Sequence, residues 1–211
     1  MSRIVILGAT GGTGKALVEQ AVKHGHDVVV VARNPDAVVA QEGNGSLTVM
    51  KGNVLDAASL VPAFTGATGI ISAAGTGNAR KSNGFYINSI TTIVTAMRQA
   101  QVRRIVVIGS NGVVDNPDEP FWYRYFLKRY LQPLYDDMAQ MEAYLRTAND
   151  IEWTVVRATW LRDTPMRGVY RIDERNAPRN GWRIGRYDVA HFMLDTFEQA
   201  KFIRKFPAIA Y

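Results

Sequence analysis

Seven residues near the amino terminus have the types and spacing of a loop that binds phosphate groups. The segment GATGGTG (residues 8–14) has G-x-x-G-x-x-G spacing and lies between an apolar run and a helical pattern. Gly8 permits a tight turn, Gly11 lets the backbone approach a pyrophosphate, and Gly14 lets the helix pack closely on the strand. The helix start then offers free N–H groups and a positive dipole end to phosphate. The predicted phosphate-binding residues are Gly8, Thr10, Gly11, Gly12, Thr13 and Gly14.

The residue that ends the second apolar run indicates which dinucleotide the loop would hold. This run ends in VARNP (residues 31–35), so Arg33 stands where an NAD enzyme usually has Asp or Glu. A carboxylate there accepts from the ribose 2′-hydroxyl and repels a 2′-phosphate. Arg33 instead offers a charge-assisted pair to that phosphate and a flat face to the adenine. The alternative is a solvent-exposed arginine at a strand end; of the two cofactors, Arg33 favours NADP(H).

Strand and helix patterns alternate along the chain and explain how these residues would be positioned. Apolar runs predict strands at 3–7, 27–32, 47–51, 69–73, 104–108 and 153–156. Helical spacing predicts helices at 13–24, 57–64 with Asp56 as its N-cap, 86–100, 121–147 broken near Pro133, and 187–200. Such alternation predicts a doubly wound parallel sheet, a Rossmann fold, as one domain over 1–211. The substrate site is expected in loops 75–84, 110–120 and 163–185, at or beyond the carboxyl edge.

Composition excludes several classes of protein. The chain has 211 residues and no cysteine, so it forms no disulfide and has no thiolate metal site or cysteine nucleophile. The net charge of +6 fits either an anionic partner or a mildly basic surface. The basic residues are scattered along the chain, which favours a mildly basic surface over a nucleic-acid partner. A phosphate-bearing cofactor also fits the positive net charge. No run is long enough to span a membrane; we expect a cytoplasmic monomer or weak homodimer that acts on a small molecule.

The glycine spacing resembles the extended and atypical branches of the short-chain dehydrogenase/reductase family. Most members of that family use Tyr-x-x-x-Lys on a helix, where the lysine lowers the tyrosine pKa and the tyrosine protonates a carbonyl. Residues 110–153 contain no such pair, since Tyr125 is followed four residues on by Arg129 and Tyr135 by Ala139. Proton donation by tyrosine is therefore not expected, and solvent would supply any proton.

Further segments narrow the resemblance to the flavin reductase and biliverdin reductase (beta-isomer) group, whose relatives are also called NmrA-like. These segments are DDM at 136–138, VVRAT at 155–159, GVY at 168–170 and DVAHFML at 188–194. Members of the group bind NADPH, pass hydride to a flat, loosely held acceptor such as a flavin, and lack the Tyr-x-x-x-Lys pair. The resemblance implies the same cofactor and reaction class for this chain.

The resemblance also implies which residues flank the rest of the cofactor. In the group, Asp is usual at the position of Asn53, whose amide can both donate and accept. Ser110 would lie beside the nicotinamide and hydrogen-bond the carboxamide or the acceptor, which makes it the one candidate catalytic residue. Its alternative role is only to end a strand. From adenine to nicotinamide, the implied residues are Asn53, Val54, Ala74, Gly75, Thr76, Ser110, Ala158 and Thr159.

Aromatic residues crowd the start of the long predicted helix. Trp122, Tyr123 and Tyr125 are candidates for a stacking wall that holds a planar acceptor. The alternative is a hydrophobic helix start that packs on the core or on a partner subunit. The histidines show no metal-ligand spacing, so no metal site is expected, and His24 and His26 are expected at the surface.

Two functions are compatible with these residues, and a third fits less well. The first is an NADPH-dependent oxidoreductase that passes hydride to a flat conjugated acceptor of the flavin or quinone type. The second is a redox-sensing or regulatory protein that binds NADP(H) without turnover, an alternative raised by the missing Tyr-x-x-x-Lys pair. The third is an epimerase or dehydratase acting on a nucleotide sugar; such enzymes usually keep the pair and have a larger substrate domain.

Overall fold

Short runs of β-branched and apolar residues form the first six strands, as their patterns predict. The computed structural model describes residues 1–39, 41–77, 79, 81–116 and 119–211. Its strands are β1 (Arg3–Leu7), β2 (Asp27–Ala32), β3 (Ser46–Lys51), β4 (Gly69–Ser72), β5 (Arg104–Ser110), β6 (Glu152–Ala158), β7 (Trp160–Arg162), β8 (Arg171–Asp173), β9 (Arg183–Gly185) and β10 (Ala208–Ala210).

The main sheet has eight strands in the order β3-β2-β1-β4-β5-β6-β10-β8. All neighbours are parallel except β10 and β8, which are antiparallel. The strand order reverses between β1 and β4, and such a switch point opens a ligand crevice at the carboxyl ends of the strands. Strands β7 and β9 form a separate two-stranded parallel sheet. This topology confirms the predicted doubly wound Rossmann fold.

Six α-helices occur in the described part of the chain, near the predicted positions. A π-helical turn, Tyr123–Leu127, leads into the helical region after β5, and the predicted break follows at Leu131, with Pro133 in the first turn of the next helix. No helix of the described residues combines the length and apolarity needed to cross a bilayer. The helices are α1 (Gly12–Lys23), α2 (Ala57–Phe64), α3 (Phe85–Gln99), α4 (Lys128–Tyr130), α5 (Gln132–Thr147) and α6 (Arg186–Glu198).

Two apolar clusters cover the two faces of the sheet. Successive strand residues point to opposite faces, so Val5 and Leu7 join the cluster with α2, α3 and α5, whereas Ile4 and Ile6 join the cluster with α1 and α6. All four strand side chains are fully buried. The sheet is therefore covered on both sides, which leaves its strand ends as the place where a ligand can reach the backbone.

The sequence pattern does not predict the last strand. Ala208–Ala210 lies beside β6 and pairs with β8 through its other edge. Three residues after Pro207 are too few to show a strand period, so only the tertiary pairing defines the element. Its consequence for the site is that Thr159, just beyond β6, donates its hydroxyl to the carbonyl of Ile209 at 3.2 Å.

Candidate active site

A cavity of about 1080 Å³ runs along the carboxyl edge of the main sheet. Residues at the ends of β1 to β6 line it, so it crosses six adjacent strands, whose five spacings of ~4.8 Å span about 24 Å. The lining includes most of the residues predicted to bind a cofactor. These are Gly8, Thr10, Gly11, Gly12, Thr13, Arg33, Asn53, Val54, Ala74, Gly75, Ser110, Ala158 and Thr159.

The glycine loop has the tight geometry that its spacing predicts. Gly8 has φ +77°, and a Cβ there would lie 2.5 Å from the carbonyl carbon of Ala73. A Cβ on Gly14 would lie 2.1 Å from the carbonyl oxygen of Gly8, so this glycine serves the packing of α1 on the loop rather than lining the cavity. The helix begins after Gly11, which has no side chain to cap it. Its first N–H groups are therefore available to an anion in the cavity.

Arg33 lies at the end of the cavity formed by β2 and β3. Its side chain is exposed and forms no ion pair or hydrogen bond with any described residue. Asn53 lies opposite on the β3 side, where its Oδ1 accepts from the backbone of Leu55 at 3.1 Å and so shapes the turn that presents Val54. Asp56 caps α2, as predicted, by accepting from the N–H of Ala58 at 3.1 Å.

Thr76 departs from the expected arrangement in the middle of the cavity. Ala74 and Gly75 line the cavity after β4, but Thr76 does not, and its hydroxyl is buried beside Tyr86. The chain turns here under the start of α3, where the carboxylate of Asp137 accepts from the N–H of Tyr86 at 3.0 Å. This link fixes α5, which carries the next part of the site, against α3.

A pair of tyrosine hydroxyls lies at the β5 end of the cavity, beside Ser110. The hydroxyls of Tyr135 and Tyr123 are hydrogen-bonded to each other, with their oxygens 2.8 Å apart. Ser110 is near enough to Tyr135 to influence its pKa. The ring of Tyr135 reaches this position because Gly112 leaves it room; a Cβ on Gly112 would lie 2.3 Å from the ring. Burial raises the pKa of both tyrosines, so both hydroxyls keep their protons at neutral pH.

Glu119 adds a buried carboxylate to the same end of the cavity. Its side chain is 6% exposed, and Oε2 has no hydrogen-bond partner among the described residues. Burial raises the pKa of Glu119, while Lys128, whose Nζ is 3.6 Å from Oε2, acts in the opposite direction. The ammonium of Lys128 is itself held by the carbonyl of Val114 at 2.6 Å and by Asp115 at 3.2 Å. Glu119 therefore places a carboxyl group in the same cavity as the tyrosine pair.

Three tryptophans form an aromatic wall beside the tyrosine pair. The rings of Trp122, Trp160 and Trp182 are 6.1–6.5 Å apart, centroid to centroid, and Tyr123 lies 6.0 Å from Trp160. Trp160 and Trp182 line the cavity and are brought together by the small sheet, in which the N–H of Trp160 donates to the carbonyl of Trp182 at 3.0 Å. The ring of Trp122 packs edge-on against both of these rings and does not line the cavity.

Tyr125, by contrast, does not reach the cavity. The residue is 56% exposed, and its ring packs on that of Phe121 with the ring centroids 4.6 Å apart, on the outside of the π-helical turn. The prediction that Tyr125 belongs to an acceptor site therefore has no support from the lining of the cavity. In a π-helix the repeat exceeds that of an α-helix, so side chains at α-helical spacing do not share a face. Of the three aromatic residues predicted there, Tyr123 lines the cavity and Trp122 contacts the lining.

Arg186, which the sequence analysis does not single out, lies over the glycine loop. A Cβ on Gly12 would come within 2.6 Å of its Cδ, and Nη1 forms an ion pair with Asp163 at 2.9 Å. Loop 163–185 is held in place nearby by the buried carboxylate of Asp188, which accepts from the N–H of Gly168 at 2.8 Å. Arg186 is thus a cation beside the predicted phosphate position.

The histidine predictions hold in part. His24 is exposed, as expected, but His26 is 6% exposed and therefore buried. Both rings contact the carboxylate of Glu198. The α6 segment that brings Glu198 to them is more than 170 residues away in sequence, which is why local spacing gives no sign of the cluster.

Together the sheet, the glycine loop and the long cavity define a Rossmann protein built to bind a nicotinamide dinucleotide. The family model described as NAD(P)H-binding matches residues 8–200, and the chain belongs to this NAD(P)H-binding family. An oxidoreductase from Pestalotiopsis microspora is 25% identical over 165 residues, which is 71% of this chain and 63% of the relative. The chain thus spans less than two thirds of that protein's length.

Solved structures share the fold over the whole chain. A candidate NADH-flavin reductase from Streptococcus pneumoniae superposes with a TM-score of 0.77 at 23% identity, covering 100% of this chain and 99% of that one. A short-chain dehydrogenase/reductase from Veillonella parvula in complex with NADP gives a TM-score of 0.76 at 20% identity, covering 100% and 94%. These likenesses show that the Rossmann fold extends over the whole chain.

Proposed function

We propose that this protein is an NADPH-dependent oxidoreductase that passes hydride to a flat conjugated acceptor of the flavin or quinone type. The observation that carries the proposal is the continuity of one cavity from Arg33 and the glycine loop to Ser110, the tyrosine pair and the aromatic wall. A dinucleotide and a planar acceptor can lie end to end in such a cavity. When bound, NADPH supplies the hydride; the protein supplies position, exclusion of water and a proton.

The cofactor end of the cavity suits NADPH better than NADH. Arg33 has no carboxylate partner among the described residues, so its charge is free for a 2′-phosphate. The open N–H groups at the start of α1 suit the pyrophosphate, and Arg186 adds positive charge above Gly12. Small residues after β4, Ala74 and Gly75, leave room for the cofactor to cross the middle of the sheet.

The acceptor end is apolar and aromatic with few polar groups. Trp160 and Trp182 offer ring faces and edges, and Leu134 and Met138 complete an apolar floor. Stacking of this kind holds planar conjugated molecules without demanding particular substituents. A loosely specified planar acceptor fits such a wall better than a sugar or another hydroxyl-rich substrate, which needs many directed hydrogen bonds.

The tyrosine pair supplies the proton in our proposal. A quinone-like acceptor gains a hydride from NADPH and one proton, which leaves NADP⁺ and the two-electron-reduced product. The hydroxyl of Tyr135, next to Ser110 in the cavity, is placed to donate that proton and can recover it through Tyr123. Glu119 lines the same cavity and can return a proton to this pair from solvent. This route replaces direct donation by bulk solvent and does not need the lysine of Tyr-x-x-x-Lys.

A non-catalytic role is the second candidate, and Met138 favours it. In the Tyr-x-x-x-Lys device a lysine ammonium lowers the tyrosine pKa, whereas here the apolar thioether of Met138 lines the cavity that holds the tyrosine pair. Without that ammonium the tyrosine pKa values stay high, which weakens acid–base chemistry of the usual kind. Such a protein would bind NADP(H) and report its redox state to a partner.

One assay separates the two candidates. The loss of NADPH absorbance is followed with FMN, riboflavin and a set of quinones, each compared with the same mixture lacking protein. Turnover of any acceptor, abolished by removing the protein, supports the oxidoreductase. Saturable NADPH binding in a parallel titration, with no turnover of any acceptor, supports the redox sensor and contradicts the proposed activity.

A further inference from the structure

Two histidines and a glutamate whose side chains could bind a metal ion lie together at the edge of the sheet opposite the cofactor cavity. His24 follows the last turn of α1, His26 immediately precedes β2, and Glu198 is the last residue of α6. None of the three lines the cavity. The cluster thus joins the end of α6 to the α1–β2 turn, at a place where the proposed oxidoreductase activity has no use for it.

The geometry of the cluster is convergent. Nδ1 of His24 is 2.9 Å and Nε2 of His26 is 2.7 Å from the same carboxylate oxygen, Oε1 of Glu198. All three ligand atoms lie within 4.8 Å of one another. Tetrahedral zinc with bonds of about 2.0–2.1 Å separates its ligand atoms by about 3.3 Å, so small side-chain rotations admit an ion between them.

The backbone and the burial of the cluster favour a fixed site with one open side. Gly25, with φ +82°, turns the chain so that the histidines on either side of it face the same carboxylate. The side chain of His26 is 8% exposed, so packing holds its ring in place. His24 is 47% exposed, which leaves a route for an ion to enter and for water to complete the coordination.

The types of ligand atom in the cluster favour one class of metal ion. Two imidazole nitrogens and one carboxylate suit zinc and neighbouring divalent transition metals, whereas Ca²⁺ and Mg²⁺ prefer oxygen ligands alone. Two neutral imidazoles and one carboxylate would leave part of the charge of a divalent ion to be balanced by water or an anion.

We propose that His24, His26 and Glu198 bind a divalent transition-metal ion of the zinc class, with water as the fourth ligand. The bound ion fastens the end of α6 to the α1–β2 turn. It therefore stabilises the packing of α1 against α6, the two helices that cover one face of the sheet. The role is structural and independent of the proposed redox function.

The test is calorimetric titration of the full chain, freed of any polyhistidine tag, with Zn²⁺. We expect one equivalent to bind, with affinity at least tenfold weaker in His24→Ala and in Glu198→Gln. The control is His191→Ala, which removes a histidine outside the cluster that contacts Tyr170 instead; it should bind Zn²⁺ like the wild type. Absence of saturable binding, or binding that survives both cluster substitutions, overturns the site.

A second measurement covers the case in which a substitution perturbs folding. Circular dichroism establishes that each variant is folded before its thermal midpoint is measured with and without Zn²⁺. We expect Zn²⁺ to raise the melting temperature of the wild type and of His191→Ala but not of His24→Ala, whose exposed ring makes loss of the fold unexpected. An equal rise in all three proteins contradicts the proposal.

Discussion

The hydroxyl oxygens of Tyr123 and Tyr135 lie 2.8 Å apart, in the same cavity as Ser110 at the end of β5. Tyr123 comes from the π-helical turn and Tyr135 from α5, so neither residue shows its role in local sequence. Both line the cavity. They give the protein a pair of protonated hydroxyls in the region where the usual Tyr-x-x-x-Lys device is missing.

The first prediction concerns proton supply. Tyr135→Phe should lower kcat for a quinone acceptor by about 100-fold, the range of a lost general acid, with little change in NADPH affinity. Because burial raises the pKa of Tyr135 above its usual value, the donor stays protonated, and wild-type kcat should not fall between neutral pH and about pH 10. The measurement is a steady-state pH profile. An unchanged kcat in Tyr135→Phe would show that solvent supplies the proton directly.

The second prediction concerns the aromatic wall. Trp160→Ala should raise KM for a planar acceptor by up to about tenfold, because the stacking surface is lost, without changing NADPH affinity. Tyr125→Ala is the matched control, since that ring lies outside the cavity on Phe121. Initial rates over a range of acceptor concentrations measure the effect. Equal KM changes in the two variants would place the acceptor elsewhere.

The third prediction concerns the charge above the glycine loop. Arg186→Gln should weaken NADPH binding by about tenfold, as expected for one charge-assisted hydrogen bond at a partly exposed site. Asp163→Asn should strengthen it, because the carboxylate that now pairs with Arg186 at 2.9 Å would no longer compete with phosphate. Nucleotide fluorescence titration measures both. If both substitutions weaken binding, the ion pair itself supports the site and Arg186 does not contact phosphate.

The fourth prediction concerns a buried ion pair beside the site. Arg157 and Glu142 form a bidentate pair at 2.9 and 2.6 Å, with side chains 7% and 5% exposed. Glu142→Gln leaves the guanidinium buried without a charged partner and should lower the free energy of unfolding by about 3–5 kcal/mol. Urea denaturation measures the loss. Arg98→Gln, which breaks the bidentate but exposed pair with Asp150, should change stability far less, and similar losses would contradict the argument.

Those parts of the fold and site that depend on local chemistry follow from sequence. The glycine spacing predicts a loop that Gly8 and Gly14 do form, because any side chain there would collide with backbone. The position of Arg33 beside the cavity can be predicted because this residue directly follows β2. The main strands and helices follow from apolar periods, since each buries one side against the sheet.

At the acceptor end, Ser110 and Tyr123 are predicted from sequence, whereas Tyr135, Trp160 and Trp182 are not, because tertiary contacts place them. Tyr135 points into the cavity only because Gly112, on a different element, leaves room for the ring. Trp160 and Trp182 are joined by pairing of β7 with β9, two strands of three residues each. Tyr125 lies outside the cavity lining on a π-helical turn, which an α-helical period does not anticipate.

Arg33 provides the most direct test of the central claim, that this cavity holds NADPH with its 2′-phosphate at the end of β2. NADPH and NADH are titrated separately against the wild type and Arg33→Asp, with nucleotide fluorescence as the signal. We predict a loss of NADPH affinity of about 100-fold, because one favourable charge pair is replaced by repulsion, and a change of less than about threefold for NADH. Equal losses for the two nucleotides, or no loss for either, would contradict the assignment.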